Sequence, residues 1–147
     1  MLENWLNKEC IALNVDAQDC RRAIQVGGDL LVANGKAKKS FVAAMIDAVT
    51  ELGPYMVVAP GIAIPHARPE SGAKAVALSL VTLKNPVSFG NPENDPVWLV
   101  TCLCALDSES HIELLQRLVN LLADDEAVSQ IRNSKDIEYV MNLISKY

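Results

Sequence analysis

The chain has only two histidines in 147 residues, four cysteines and no dense cluster of positive charge. So few histidines argue against a histidine-rich metal protein. Lys and Arg number 13 against 18 Asp and Glu, a net charge of −5, and the densest basic run is Lys36, Lys38 and Lys39. A phosphate backbone or anionic membrane rewards clustered Lys and Arg, so a nucleic-acid partner and a membrane-surface role are both set aside. No run approaches the roughly 18 consecutive apolar residues of a membrane span. The opening segment, MLENWLNKEC, is acidic and interrupted by polar side chains. It does not have the pattern of a secretory signal, and the expected location is cytoplasmic. No phosphate-binding G-x-x-x-x-G-K-S/T loop, G-x-G-x-x-G run or G-x-S-x-G elbow occurs, which removes the local support for nucleotide binding and for a serine triad.

The 147 residues, half of them apolar, suit a single domain spanning 1–147 with its own core. Folding at this size buries roughly 68–70% of the unfolded surface, so no disulfide or metal staple is required. Cys10, Cys20, Cys102 and Cys104 can pair on paper, but reduced thiols are the default without an oxidising compartment. Cys102 and Cys104 fall in the apolar run VWLVTCLCAL, where a two-residue spacing puts both on one strand face. A C-x-C pair can bind metal, yet no second pair supplies the remaining ligands, and buried inert thiols are the expectation.

The first part of the chain reads as scaffold. IALNV forms a strand ending at Asp16, which caps a helix over about Ala17 to Ala33 with Gly35 beyond its end. A second helix, about Lys39 to Leu52, carries Phe41, Val42, Met45, Ile46 and Val49 on one stripe and stops at Gly53-Pro54. YMVVA, GIAIPH and AVALSLVTL then read as short strands, PVSFGNPENDP as a loop, and VWLVTCLCAL as a central strand apolar on both faces. A helix from Asp107 buries most of Ile112, Leu114, Leu115, Leu118, Val119, Leu121 and Leu122. Helical pieces around Glu126–Arg132 and Lys135–Ser145 follow, with Ser134 capping the second. Near the N-terminus, Leu2, Trp5 and Leu6 can serve a homodimer contact. The predicted class is α/β, a small mixed sheet flanked by helices on both faces.

The chemistry concentrates at the two histidines. His66 ends the run GIAI directly after Pro65, which limits its backbone freedom, and Arg68 follows on the same side if the chain stays extended. An imidazole nucleophile beside a guanidinium suits a phosphorylated intermediate, although a strand-end histidine can equally be structural. His111 lies in the first turn of the Asp107 helix, where free N–H groups favour anions. Its other reading is a solvent-facing helix residue between Glu109 and Glu113. On residue type alone the two histidines and Asp95 can ligate a metal, but no pair has the usual ligand spacing. If proteins must reach His66, an apolar ring should surround it, and Ile62, Ile64 and Phe89 are the expected members.

The segment GPYMVVAPGIAIPHARPESG, Gly53 to Gly72, resembles the phosphorylation site of the enzyme IIA components of the bacterial phosphoenolpyruvate-dependent sugar phosphotransferase system. Within the fructose–mannitol superfamily the likeness is greatest to the ascorbate-type proteins. LSLVTLKNPVSF, the NDPV of Asn94 to Val97 and the LVNLL after His111 carry the same likeness, which spans essentially the whole chain. The resemblance implies a mixed sheet between helices, with His66 accepting a phosphoryl group from the phosphocarrier HPr. It also implies passage of that group to a IIB component, which works with a membrane IIC permease. Arg68 matches the arginine of the motif, and His111 matches the neighbour that stabilises the phosphohistidine. No cofactor and no metal are implied. A regulatory protein signalling through the same phosphohistidine is the alternative. A IIB domain, which carries phosphate on a loop cysteine, is excluded by the residues after Cys10, IALNVD, and by the apolar setting of Cys102 and Cys104.

Overall fold

The computed structural model describes all 147 residues. In chain order its elements are β1 (Ile11–Val15), α1 (Cys20–Ala33), α2 (Lys39–Leu52), β2 (Val57–Ala59), β3 (Ile62–Ala63), β4 (Ala77–Leu78), β5 (Leu80–Val87), β6 (Val97–Val100), β7 (Leu103–Cys104), α3 (Ser108–Leu122), α4 (Asp125–Asn133) and α5 (Ile137–Ile144). The main sheet has the order β1-β5-β6-β3-β2. It is mixed: β1–β5 and β3–β6 are parallel, while β5–β6 and β2–β3 are antiparallel. β6 is buried along its whole length, as a central strand covered on both faces must be. α1 packs on β5 and β6 and against α2, whereas α5 packs on β1 and the N-terminal turns. The predicted architecture, a small mixed sheet among helices, is the one observed. No helix is long and apolar enough to cross a membrane.

Two predicted strands each break once, and the breaks coincide. AVALSLVTL divides at Ser79 into β4 and β5, and VWLVTCLCAL divides at Thr101–Cys102 into β6 and β7. The Ser79 N–H donates to the Cys102 carbonyl at 2.9 Å, so both strands turn at one level, and β4 and β7 continue as a separate two-stranded ribbon. α1 enters this bend through Gly27, where a Cβ would lie 2.7 Å from Cys102 Sγ. All four thiols are free. Burial pushes the Cys102 thiol up to about 12, which keeps it protonated and unreactive.

Local hydrogen bonding shifts several predicted boundaries. α1 starts one turn late, because Ala17 sinks into the core and Asp19, not Asp16, accepts from the Arg22 N–H at 2.8 Å. α5 is capped by Asp136, which accepts from the Glu138 N–H; Ser134 instead holds the preceding turn by accepting from the Asp136 N–H. Pro86 and Val87 belong to β5, and Val87 pairs with Val97, so the loop begins at Ser88. On α3 the buried stripe is Leu114, Leu118 and Leu121, while Ile112 and Val119 face outward. Leu2 and Leu6 are fully buried in the chain's own core. They are therefore unavailable for the expected dimer contact, since the N-terminal turns pack on α3 and α5.

The loop between β5 and β6 is organised by Asp95. Its carboxylate accepts from the N–H groups of Phe89, Gly90 and Asn91, each at 2.9 Å, and from the Ser88 hydroxyl at 2.8 Å. Burial opposes ionisation, but these donors outweigh it and hold the carboxyl below its usual range. The next residue back, Asn94, accepts from the Gly61 N–H at 2.8 Å, which ties the loop to the β2–β3 turn. Gly61 takes φ 76°, and a Cβ there would sit 2.5 Å from Trp98 Cδ1. Both strain and overlap therefore exclude a side chain.

Two outcomes follow. Asp95→Asn should lower stability by about 2 kcal/mol at pH 7, read by urea unfolding. The folded-state value is depressed, so the wild-type advantage is present above about pH 4 and should vanish as pH falls below it. Gly61→Ala should cost about 2–4 kcal/mol and lower the melting midpoint, from backbone strain plus the clash with Trp98.

Candidate active site

β3 is short because the chain is pulled between two partners at its end. The Ile64 N–H donates to the Met56 carbonyl at 2.8 Å, and the Leu103 N–H donates to the Pro65 carbonyl at 2.9 Å. His66 then lies beside Leu103 in a parallel bridge. Proline at 65 has no N–H to place, so the backbone on either side of it carries the register. The break between β6 and β7 is what brings Leu103 to this position.

The ring of His66 is oriented by its own strand. Nδ1 lies 2.8 Å from the Ile64 carbonyl oxygen. A carbonyl oxygen only accepts, so the bond requires the proton on Nδ1 and leaves Nε2 with a free lone pair. His66 is half-buried, and the cleft above it measures about 710 Å³.

His111 sits in the first turn of α3, its N–H donating to the Asp107 carbonyl at 3.1 Å. The start of α3 is fixed by a capping box: Asp107 accepts from the Ser110 N–H, and the Ser110 hydroxyl faces the Asp107 N–H. This places the His111 ring 5.5 Å from that of His66, centroid to centroid, at 60°. The meeting that the sequence could only suggest is thus present. Burial, and then the neighbouring His66, hold the His111 pKa below its ordinary value of 6.5. The ring is therefore mainly neutral at pH 7, a form with one N–H to donate.

Arg68 lines the same cleft and is exposed, with its guanidinium outside any ion pair; the protein's one salt bridge joins Lys8 to Glu138 at 3.5 Å. Glu70 and Asp107 also line the cleft. An anion entering the cleft meets a free imidazole nitrogen, a neutral imidazole donor, a guanidinium and the first turn of a helix. That combination suits a tetrahedral phosphoryl group. Asp95 is not a member of the cleft, because its carboxylate is occupied by the β5–β6 loop.

The expected apolar ring is not where the sequence placed it. Ile62, Ile64 and Phe89 are only 5%, 2% and 4% exposed. The isoleucines belong to a strand and strand end covered on both sides, and Phe89 turns inward from the Asp95 loop. The apolar surface beside His66 is formed by Tyr55, Leu106 and Ile112, each about half exposed. Helix phase could have found Ile112, which lies nearly opposite the Leu114–Leu118–Leu121 stripe. Tyr55 was legible only as part of GPY, and its ring stands 5.7 Å from that of His66 at 88°.

The model of the family "Phosphoenolpyruvate-dependent sugar phosphotransferase system, EIIA 2" matches residues 4–147. A protein named the ascorbate-specific PTS system EIIA component of Escherichia coli is 39% identical over 145 residues, covering 98% of this chain and 94% of the relative. The solution structure of the mannitol-specific cryptic phosphotransferase enzyme IIA of Escherichia coli superposes with a TM-score of 0.90 at 32% identity, covering 99% of both chains. The enzyme IIA mannitol of Escherichia coli, solved in complex with phosphorylated enzyme IIB, gives a TM-score of 0.85 at 26% identity, covering 96% of this chain and 97% of that one. By sequence over nearly its full length and by fold, the chain belongs to the EIIA 2 family of the phosphoenolpyruvate-dependent sugar phosphotransferase system.

Proposed function

We propose that His66 Nε2 is the phosphoryl acceptor of this EIIA component, and that the whole chain, 1–147, acts as one cytoplasmic relay module. EIIA components take their phosphoryl group from HPr and pass it to a IIB component. The observation that carries the assignment is the 2.8 Å bond from His66 Nδ1 to the Ile64 carbonyl, which leaves Nε2 as the basic nitrogen. The Nε2 lone pair attacks phosphorus in line while the bond from phosphorus to the donor breaks. The Nδ1 proton stays on the Ile64 carbonyl side, so the phosphorylated ring is cationic and remains a good leaving group for the next transfer. Arg68 and the neutral His111 stand to hold the phosphoryl oxygens. Likeness to components named ascorbate-specific supports an L-ascorbate uptake system as the pathway served, with a IIB and a membrane IIC permease downstream.

The test is incubation with phosphoenolpyruvate, enzyme I and HPr, followed by addition of the ascorbate-system IIB. Wild type should take up an acid-labile phosphate on His66, and His66→Ala should take up none. Label on His66→Ala equal to wild type would falsify the assignment. Label that is accepted but reaches no IIB would favour the regulatory alternative.

His111→Ala should still accept phosphate but pass it on about 10- to 100-fold more slowly, with His111→Gln, which keeps a neutral donor, losing less. In the unphosphorylated protein the His111 ring should titrate below 6.5 by NMR, and its midpoint should rise once a phosphoryl dianion sits beside it. Arg68→Gln should slow acceptance about 10- to 100-fold without changing the unfolding midpoint, since the guanidinium is exposed.

A further inference from the structure

The relay chemistry makes no use of Tyr55, yet its ring is the one aromatic side chain besides His111 that stands against His66. One hydrogen bond does not by itself fix a half-buried imidazole. The outer torsion of histidine is broad, and a half-turn about it would exchange Nδ1 with a carbon and swing Nε2 off the line of attack. His111 walls one part of the ring at 5.5 Å, and Tyr55 meets it at 5.7 Å and 88°, an edge-to-face arrangement.

Tyr55 lies in the turn that leads into β2, next to Met56, whose carbonyl bonds the segment that carries His66. The Val57 N–H donates to the Pro54 carbonyl at 3.1 Å, and the Met56 carbonyl accepts from the Ile64 N–H at 2.8 Å. Tyr55 thus sits between two backbone anchors, the second of them on the residue whose carbonyl receives the His66 Nδ1 proton. The wall and the hydrogen bond share one support, so they act on the imidazole together.

We infer that Tyr55 is a positioning residue for phosphoryl transfer, its ring holding the His66 imidazole in the orientation that keeps the proton on Nδ1 and aims Nε2 into the cleft. The inference rests on His66 being the acceptor, and it assigns the work to the aromatic ring rather than to the hydroxyl.

The experiment compares wild type, Tyr55→Phe and Tyr55→Leu, with urea midpoints recorded to show that all are folded. In the free protein, 15N NMR of the imidazoles should show His66 protonated on Nδ1 in wild type and Tyr55→Phe, and a mixture of tautomers in Tyr55→Leu. With phosphorylated HPr, Tyr55→Phe should accept phosphate within twofold of wild type. Tyr55→Leu should fall about five- to tenfold in the maximal rate, with KM for HPr little changed. The inference is overturned by an unchanged tautomer pattern in Tyr55→Leu, by an equal loss in Tyr55→Phe, or by a loss confined to KM, which would make Tyr55 a docking residue. Should wild type accept no phosphate, the relay assignment fails, whereas the tautomer comparison still decides the role of Tyr55.

Discussion

The bond between the His66 imidazole and the carbonyl of Ile64 spans only two residues, with Pro65 stiffening the chain between them. A neutral hydrogen bond of this kind is worth about 1 kcal/mol net, enough to favour one tautomer roughly fivefold. Small as that is, it favours Nε2 as the basic nitrogen. The rest of the cleft is arranged around an imidazole whose tautomer this bond biases.

The surrounding fold maintains that short bond from three sides. Met56 ties Ile64 to β2, Leu103 ties Pro65 to β7, and Asn94 ties the Gly61 turn to the Asp95 loop. The paired breaks at Ser79 and Cys102 are the architectural cause, because an unbroken β6 would carry Leu103 past the point where it meets Pro65. Gly27 of α1 fits where those breaks leave room for no side chain. A close-packed interior transmits such constraints with little slack, so a turn far from the cleft still bears on the position of the imidazole.

Charge follows the same economy. In a chain of net −5, the one guanidinium in the cleft is left unpaired, and the second imidazole is kept neutral by burial and by His66. A relay needs such moderation. Fixed positive partners lower the barrier to transfer, but a fully charged cage would hold the phosphoryl group too tightly to release it. Beside this polar centre Leu106 and Ile112 are about half exposed, an apolar surface of the kind that suits contacts that form and dissolve.

The sequence by itself determined most of the scaffold and both histidines. α2 was legible because its stripe and its stop at Gly53-Pro54 depend on local periodicity and turn chemistry. His66 and Arg68 were legible because a proline and a two-residue spacing act over a few bonds. The start of α1 was displaced because two aspartates compete for the cap and only the burial of Ala17 decides between them. The broken strands, the inward turn of Ile62, Ile64 and Phe89, and the outward turn of Ile112 depend on neighbours far along the chain. Only the tertiary structure decided that His111 would stand 5.5 Å from His66, that the Tyr55 ring would stand 5.7 Å from it, and that Nε2 would be the free nitrogen. Spacing along a chain fixes what touches within a turn or a strand; contacts between β3, β7 and α3 come from packing, which no local pattern encodes.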